Sequence, residues 1–189
     1  MILVGYRHTS DAWGDELKVS AQTFSIVPKV GTPSGHSQTG NKIEAVHGDL
    51  KTTVVLLEQG TNRLCFITSA MGVEGNALRT ACVKILAKTL KIDPKAIIAN
   101  SAHTHTIPWI QVDSAHIPEK NTPLYLSWEL GVDFLEKLQK AANKLEKALE
   151  PVTVEWGVAE ENRITYNRRG RRLDGKSYFM REEDRMLVG

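Results

Sequence analysis

The chain has 189 residues, 41% of them hydrophobic, and a formal net charge of +2. That length suffices for one domain with a real core, or for a piece of a larger one, and so small a charge gives no ground for a polyanion partner over the whole surface. Nucleic acid is therefore not the expected partner. Apolar runs such as Val54 to Leu57 fall far short of the roughly 18 residues a membrane span requires, so no transmembrane segment is expected.

The N-terminus, Met1 to His8, opens on apolar residues but lacks a basic segment, a sustained hydrophobic core and a small-residue cleavage site. No signal peptide is read there, and the compartment stays open. Residues 1 to 20 have no clear period, and the stretch from Gly31 to Gly40 is rich in Gly, Ser, Thr and Pro, so this early part reads as loop-rich. Between them, Gln22 to Val27 alternates enough for a short strand with Phe24 and Ile26 on one face, ended by Pro28.

Leu50 to Glu58 and Leu64 to Thr68 are rich in Thr, Val, Leu and Ile and are joined by Gln59-Gly60-Thr61-Asn62, a pattern that predicts a β-hairpin. From Asn76 to Ile92 the residues Leu78, Cys82, Ile85 and Leu86 fall at helical spacing, lysines gather toward the end, and Pro94 lies beyond. Ala96 to Ser101 is a short, nearly all-apolar run of the kind expected for a strand covered on both faces. Ile107 to Pro123 is long enough to be a functional loop. Leu126, Leu130, Phe134, Leu138, Ala141, Leu145 and Leu149 then mark the stripe of a long helix, ended by Pro151, with Val152 to Trp156 as the next strand. This order predicts an α/β fold: a mixed, largely parallel central sheet with βαβ crossovers and an antiparallel hairpin, helices packed on the sheet, in a single domain over residues 1 to 189.

The residues that bear on chemistry begin at His103-Thr104-His105, which follows the apolar run Ala96 to Ala99 and is closed by Pro108. In extended backbone, residues two apart project to the same side, so both imidazoles can face one point, and imidazole is a common zinc ligand. In open α/β sheets ligands bind outside the carboxyl ends of the strands, which is where this pair falls. His103 is the first choice as a ligand for Zn2+; His105 either binds the metal too or hydrogen-bonds a substrate or a metal-bound water. A polar turn with hydrogen-bonded histidines is the other reading of the same residues.

A zinc site needs three or four protein ligands, and His8, His36, His47 and His116, with carboxylates such as Asp49 and Asp113, show no diagnostic spacing. His47-Gly48-Asp49-Leu50 stands at the mouth of a strand, where it either approaches the site or serves as a polar turn into the hairpin. Cys65 and Cys82 sit in core-like patterns without Cys-x-x-Cys spacing and read as buried hydrophobes, which disfavours cysteine-hydrolase chemistry. Arg168, Arg169, Arg171 and Arg172 form a basic cluster that reads as a solvated loop, a phosphate-binding patch, or the source of one arginine aimed into a pocket.

The segment Ser101-Ala102-His103-Thr104-His105-Thr106-Ile107-Pro108 resembles the Ser-Ala-Thr-His-Thr-His-Ser-Gly-Pro segment of the neutral/alkaline (non-lysosomal) ceramidase family. The flanking order is similar too: Pro28-Lys29-Val30-Gly31-Thr32-Pro33 resembles the family's early Pro-x-Gly-x-Pro-like loop, Asn167-Arg168 its later Asn-Arg pair, and Glu182-Glu183-Asp184 the acidic residues that follow. The similarity runs from about residue 22 to the end, and only the His-Thr-His segment is specific. The resemblance implies a zinc-dependent amidohydrolase that cleaves the amide of ceramide, or of a related N-acyl lipid, into sphingosine and a fatty acid in the case of ceramide. It implies His103 as the zinc ligand, His105 as the neighbour that contacts substrate or the reacting oxygen, and Arg168 as the active-site arginine, with Asn167 as its companion.

Two departures matter. The chain continues with Ile107-Pro108-Trp109-Ile110 where the family has Gly-Pro and more glycines, and it has Asn-Arg-Arg-Gly where many ceramidases have Asn-Arg-Ser-Pro. Both imply a pocket of different shape beside the metal. The family's second zinc histidine, its Glu and Tyr ligands and its serine lie beyond the point matched by Gly189, so the resemblance implies the N-terminal part of a larger catalytic domain. The competing reading, from another class, is a non-catalytic α/β binding or assembly module with a degenerate metal site. Localisation is open: the family is commonly secreted or membrane-associated, and oligomeric state has no signature in the sequence.

Overall fold

The computed structural model describes residues 15–34, 41–70, 76–102, 107–108, 110–112, 117–160, 169–171 and 173–179. These fall into two compact units, one within Ser10–Thr153 and one within Val154–Gly189, and each is described by itself. The larger is an α/β unit built on a five-stranded sheet. Its strands are β1 (Leu17–Ile26), β2 (Leu50–Gln59), β3 (Asn62–Ser69), β4 (Ile97–Ser101) and β5 (Glu150–Pro151), in the spatial order β4-β3-β2-β1-β5.

The sheet is mixed, as the sequence predicts, but its parallel share is the single pair β3–β4; β1–β2, β2–β3 and β1–β5 are antiparallel. The reason lies at both ends. The first strand is longer than its alternation suggests, starting at Leu17, and it pairs with β2 over its whole length instead of entering a βαβ unit. The strand expected over Val152 to Trp156 is instead the two residues Glu150–Pro151 against Val19 and Lys18, and residues 152–160 carry no regular structure. Pro151 has no amide to donate, yet the next amide, of Val152, still donates to the Leu17 carbonyl at 3.0 Å, and β5 stays a stub at the sheet's edge because its partner β1 begins at Leu17.

Helix α1 (Asn76–Leu90) crosses from β3 to β4, and helix α2 (Pro123–Leu145) follows the long loop. Thr122 caps α2 by accepting a hydrogen bond from the Tyr125 amide at 3.2 Å, with Pro123 in the first turn, where its missing amide is harmless. Along α2 the buried residues Leu130, Phe134, Leu138, Ala141, Ala142 and Leu145 recur every three or four positions, the stripe expected of a helix lying on a core. They meet Ile26, Val54, Leu56, Cys65, Ile67 and Ile97 from one face of the sheet, with Cys82, Leu86 and Leu90 of α1 beside them. Phe134 packs edge-to-face on Phe24, ring centres 5.4 Å apart at 72°.

One expectation about β4 fails. Its apolar run is read as burial on both faces, yet Ile98 is 45% exposed while Ile97 is 3% exposed. The described helices pack on the face that carries Ile97, Cys65 and Ile67, and Ile98 points to the other. The outward Asn100 of β4 accepts a hydrogen bond from the Thr68 hydroxyl at 2.7 Å, which ties the two parallel strands on the outer side.

The end of the sheet away from the C-termini of β3 and β4 is closed by Arg63. Its guanidinium donates to Glu58 and to Glu146, each at 2.7 Å, and to the Leu90 carbonyl at 2.9 Å, joining the hairpin to the last turn of α1 and the residue after α2. Replacing Arg63 with Ala is expected to cost about 1–2 kcal/mol, because the cluster is part-exposed and therefore partly screened. Phe134→Ala, which empties a fully buried site, should cost about 3–5 kcal/mol. Urea denaturation of both variants checks the order; an Arg63 effect as large as that of Phe134 would contradict it.

Candidate functional site

Alternating strand directions bring four chain segments to one edge of the sheet. Ile26 at the end of β1 pairs with Leu50 at the start of β2, Thr52 pairs with Ser69 at the end of β3, and Ser69 pairs with Ser101 at the end of β4. The buried hydroxyls of Thr52 and Ser69 share a 2.6 Å hydrogen bond and so satisfy one another inside the protein. Pairing continues one residue past the strands: the Ala70 amide donates to the Lys51 carbonyl at 3.0 Å and the Ala102 amide to the Ser69 carbonyl at 2.9 Å. The backbone is thus fixed up to the residue that precedes His103.

Beyond the histidine segment the chain is fixed again at the same rim. Pro108 forms an isolated antiparallel bridge with Ser34, and Pro33 bridges Lys42 in the same way. These contacts wall a cavity of about 490 Å³, with Ile43, Val46 and Leu50 on its lining together with Ile107 and Pro108. Its volume lies in the range of about 300–1,000 Å³ usual for small-molecule sites. Lys42 and His47 also line it. Gly48 follows His47 at φ +76, a left-handed conformation that an L side chain rarely adopts, so the turn beside the imidazole depends on glycine.

The loop then crosses α2. The Gln111 amide donates to the Ser127 carbonyl at 3.3 Å, and Ile110 and Val112 pack against the core. Gly131 makes this crossing possible, since a Cβ there would meet the Gln111 carbonyl, Gln111 and Ile110 being its nearest neighbours. The sequence shows Gly131 only as a glycine in a helical stripe; the close approach that requires it is a tertiary fact.

Of the residues singled out from sequence, His103, His105 and Arg168 lie outside the described residues, as do Asn167, Thr104, Thr106, Asp113, His8, His36 and His116. The structure describes the anchors Ala102 and Ile107 on either side of the histidines, and Arg169, which follows Arg168. Arg169 opens the second unit's hairpin, β6 (Arg169–Arg171) paired antiparallel with β7 (Ser177–Phe179), in which Arg169 and Arg171 are exposed. His47 is exposed and lines the cavity, and Asp49 is exposed two residues on. Lys42 was missed by sequence reasoning, for a lone lysine in a polar stretch carries no signal.

Among the described residues no group of three or more His, Cys, Asp or Glu side chains could hold a metal ion. His103 and His105, the histidines the sequence offers as ligands, lie outside those residues. Cys65 and Cys82 are fully buried, and burial pushes each thiol up to about 12, which leaves them as the inert core residues the sequence predicts. Among the described residues no helix is long and apolar enough to cross a membrane.

No family model matches the chain, and no curated protein matches it in sequence. Among solved structures it is similar to the neutral ceramidase from Pseudomonas aeruginosa, with a TM-score of 0.44 and 12% identity over 72% of this chain and 22% of that one. It is similar in the same way to a ceramidase complexed with C2, with a TM-score of 0.45, 12% identity, and the same 72% and 22% coverage. The chain thus spans 22% of the length of these ceramidases.

Two outcomes follow from the geometry. Gly131→Ala is expected to force Ile110 and Gln111 off the helix at a cost of about 1–3 kcal/mol, read as a lowered urea midpoint, whereas an unchanged midpoint would contradict the close crossing. At pH 8 neither thiol should react with a disulfide reagent such as DTNB in the folded protein, and both should react once it is unfolded in urea. Rapid labelling of the folded protein would contradict their burial.

Proposed function

We propose that this chain carries part of the active site of a zinc-dependent amidohydrolase, acting on ceramide or a related N-acyl lipid, with His103 as a metal ligand. The observation that supports this most is the path of the chain at the rim. Ala102, bonded to Ser69, delivers the His-Thr-His segment from the carboxyl end of a strand, and Ile107 and Pro108 return from it as the wall of a cavity. Carboxyl ends of strands are where open α/β sheets bind ligands, and a strand end followed by an imidazole pair is a usual source of metal ligands. The resemblance of the segment to the ceramidase motif adds the reaction class.

In this reading a bound zinc ion would polarise the amide carbonyl and make the attacking water acidic. His105 contacts the substrate or the reacting oxygen, and Arg168 orients the substrate. The rim cavity, next to the segment in sequence, receives a portion of the substrate.

Metal analysis of the purified protein after equilibration with zinc and removal of the excess tests the reading. Wild type is expected to retain measurable zinc and His103→Ala to lose most of it, with both folded by circular dichroism. Equal, negligible zinc in both would overturn the metal assignment. If, in addition, no N-acyl substrate is hydrolysed and the fold survives replacement of both histidines, the chain is a binding or assembly module.

A further inference from the structure

We infer that the rim cavity binds the anionic end of its ligand, so that the preferred substrate class is an N-acylated amino acid, an amide with a free carboxylate, in place of a neutral lipid amide. The inference rests on the proposed function for the amide and on the cavity itself for the charge. The lining is apolar over Ile43, Val46, Leu50, Ile107 and Pro108, and among the described residues its charged or titratable side chains are Lys42 and His47. Among the described residues no Asp or Glu lines it, although Glu44 and Asp49 stand close by in the same stretch of chain. Lys42 and His47, with no carboxylate among the described lining residues, favour an acceptor-rich or negative group, and a carboxylate accepts a lysine's hydrogen bonds more strongly than a neutral amide oxygen does.

The apolar residues explain the remainder of the ligand. Ile107 and Pro108 belong to that apolar lining. A cavity of about 490 Å³ with an apolar wall and one cationic side accommodates a compact amphiphile with its head inside and its chain leading out. Hydrolysis of such a substrate adds water across its amide: the C–N bond breaks, the hydroxyl goes to the acyl carbon, and the nitrogen takes up a proton to leave the free amino acid.

Binding, measured by calorimetry without turnover, separates this inference from the metal assignment. The probes are N-octanoylglycine, its neutral counterpart N-octanoylglycinamide, and octanoate. Wild type is expected to bind N-octanoylglycine roughly tenfold more tightly than the glycinamide, the size of one charge-assisted contact, with affinity falling as salt rises. Lys42→Met should erase that preference while leaving the weaker glycinamide binding unchanged, and Val46→Trp, which fills the cavity, should weaken both amides. Equal affinities in wild type, a preference that survives Lys42→Met, or binding indifferent to Val46→Trp would each overturn the inference. Octanoate binding as tightly as N-octanoylglycine would assign the site to a simple fatty carboxylate and overturn the amide. A charge preference that persists in a protein shown not to hold zinc would leave the cavity's selectivity standing while the proposed function fell.

Discussion

The parallel pairing of β4 with β3 is the constraint on which the rest depends. Register from Cys65 against Ile97 to Ser69 against Ser101, with one further bond from Ala102, fixes both where β4 ends and which way it points. Had β4 paired antiparallel, the segment that follows it would leave from the hairpin end, beside Arg63. In the observed arrangement it leaves beside Ile26, Leu50 and Ser69, and the loops that carry Pro33, Lys42 and His47 share its edge. One crossover helix achieves this, because a strand that must run parallel to its neighbour needs a connection long enough to return along the sheet.

The two ends of the sheet have separate tasks. At the hairpin end a single guanidinium gathers Glu58, Glu146 and the Leu90 carbonyl, and so joins the hairpin to the ends of both helices. The rim end is built of turns: a glycine at positive φ beside His47, isolated bridges in place of ladders, and a loop whose approach to α2 depends on Gly131. Loops held by a rigid sheet are where binding residues usually reside, and their polar groups stay near solvent. The core between the two ends, centred on Phe134, Leu56 and Ile67, supplies the rigidity and takes no part in chemistry.

Much of this was legible in the sequence, for physical reasons. The β2–β3 hairpin, α1, β4 and α2 each declare themselves through apolar period and flanking proline or turn residues, and Cys65 and Cys82 fall in the core as their patterns indicate. What escaped depends on partners distant in sequence. β1 extends back to Leu17 because β2 is there to pair with it, while β5 is confined to Glu150–Pro151 because its partner β1 begins at Leu17. Ile98 reads as buried from its apolar run, and it is exposed because the described helices pack on the face that carries Ile97. At the site, the histidine motif marks the rim, but Lys42 becomes visible only when bridges between Pro33 and Lys42 and between Ser34 and Pro108 fold that stretch beside the loop. The departure of Ile107 from the ceramidase pattern is legible in sequence, and its place on the cavity wall gives that difference a physical meaning.

The proposed function turns on a zinc ion held by an imidazole that follows β4 in the chain. X-ray absorption at the zinc edge of the metal-loaded protein reads that bond. Nitrogen scattering at about 2.0–2.1 Å with the outer-shell pattern of an imidazole ring is expected, diminished in His103→Ala. A spectrum of oxygen ligands alone, identical in the wild type and the variant, would contradict it.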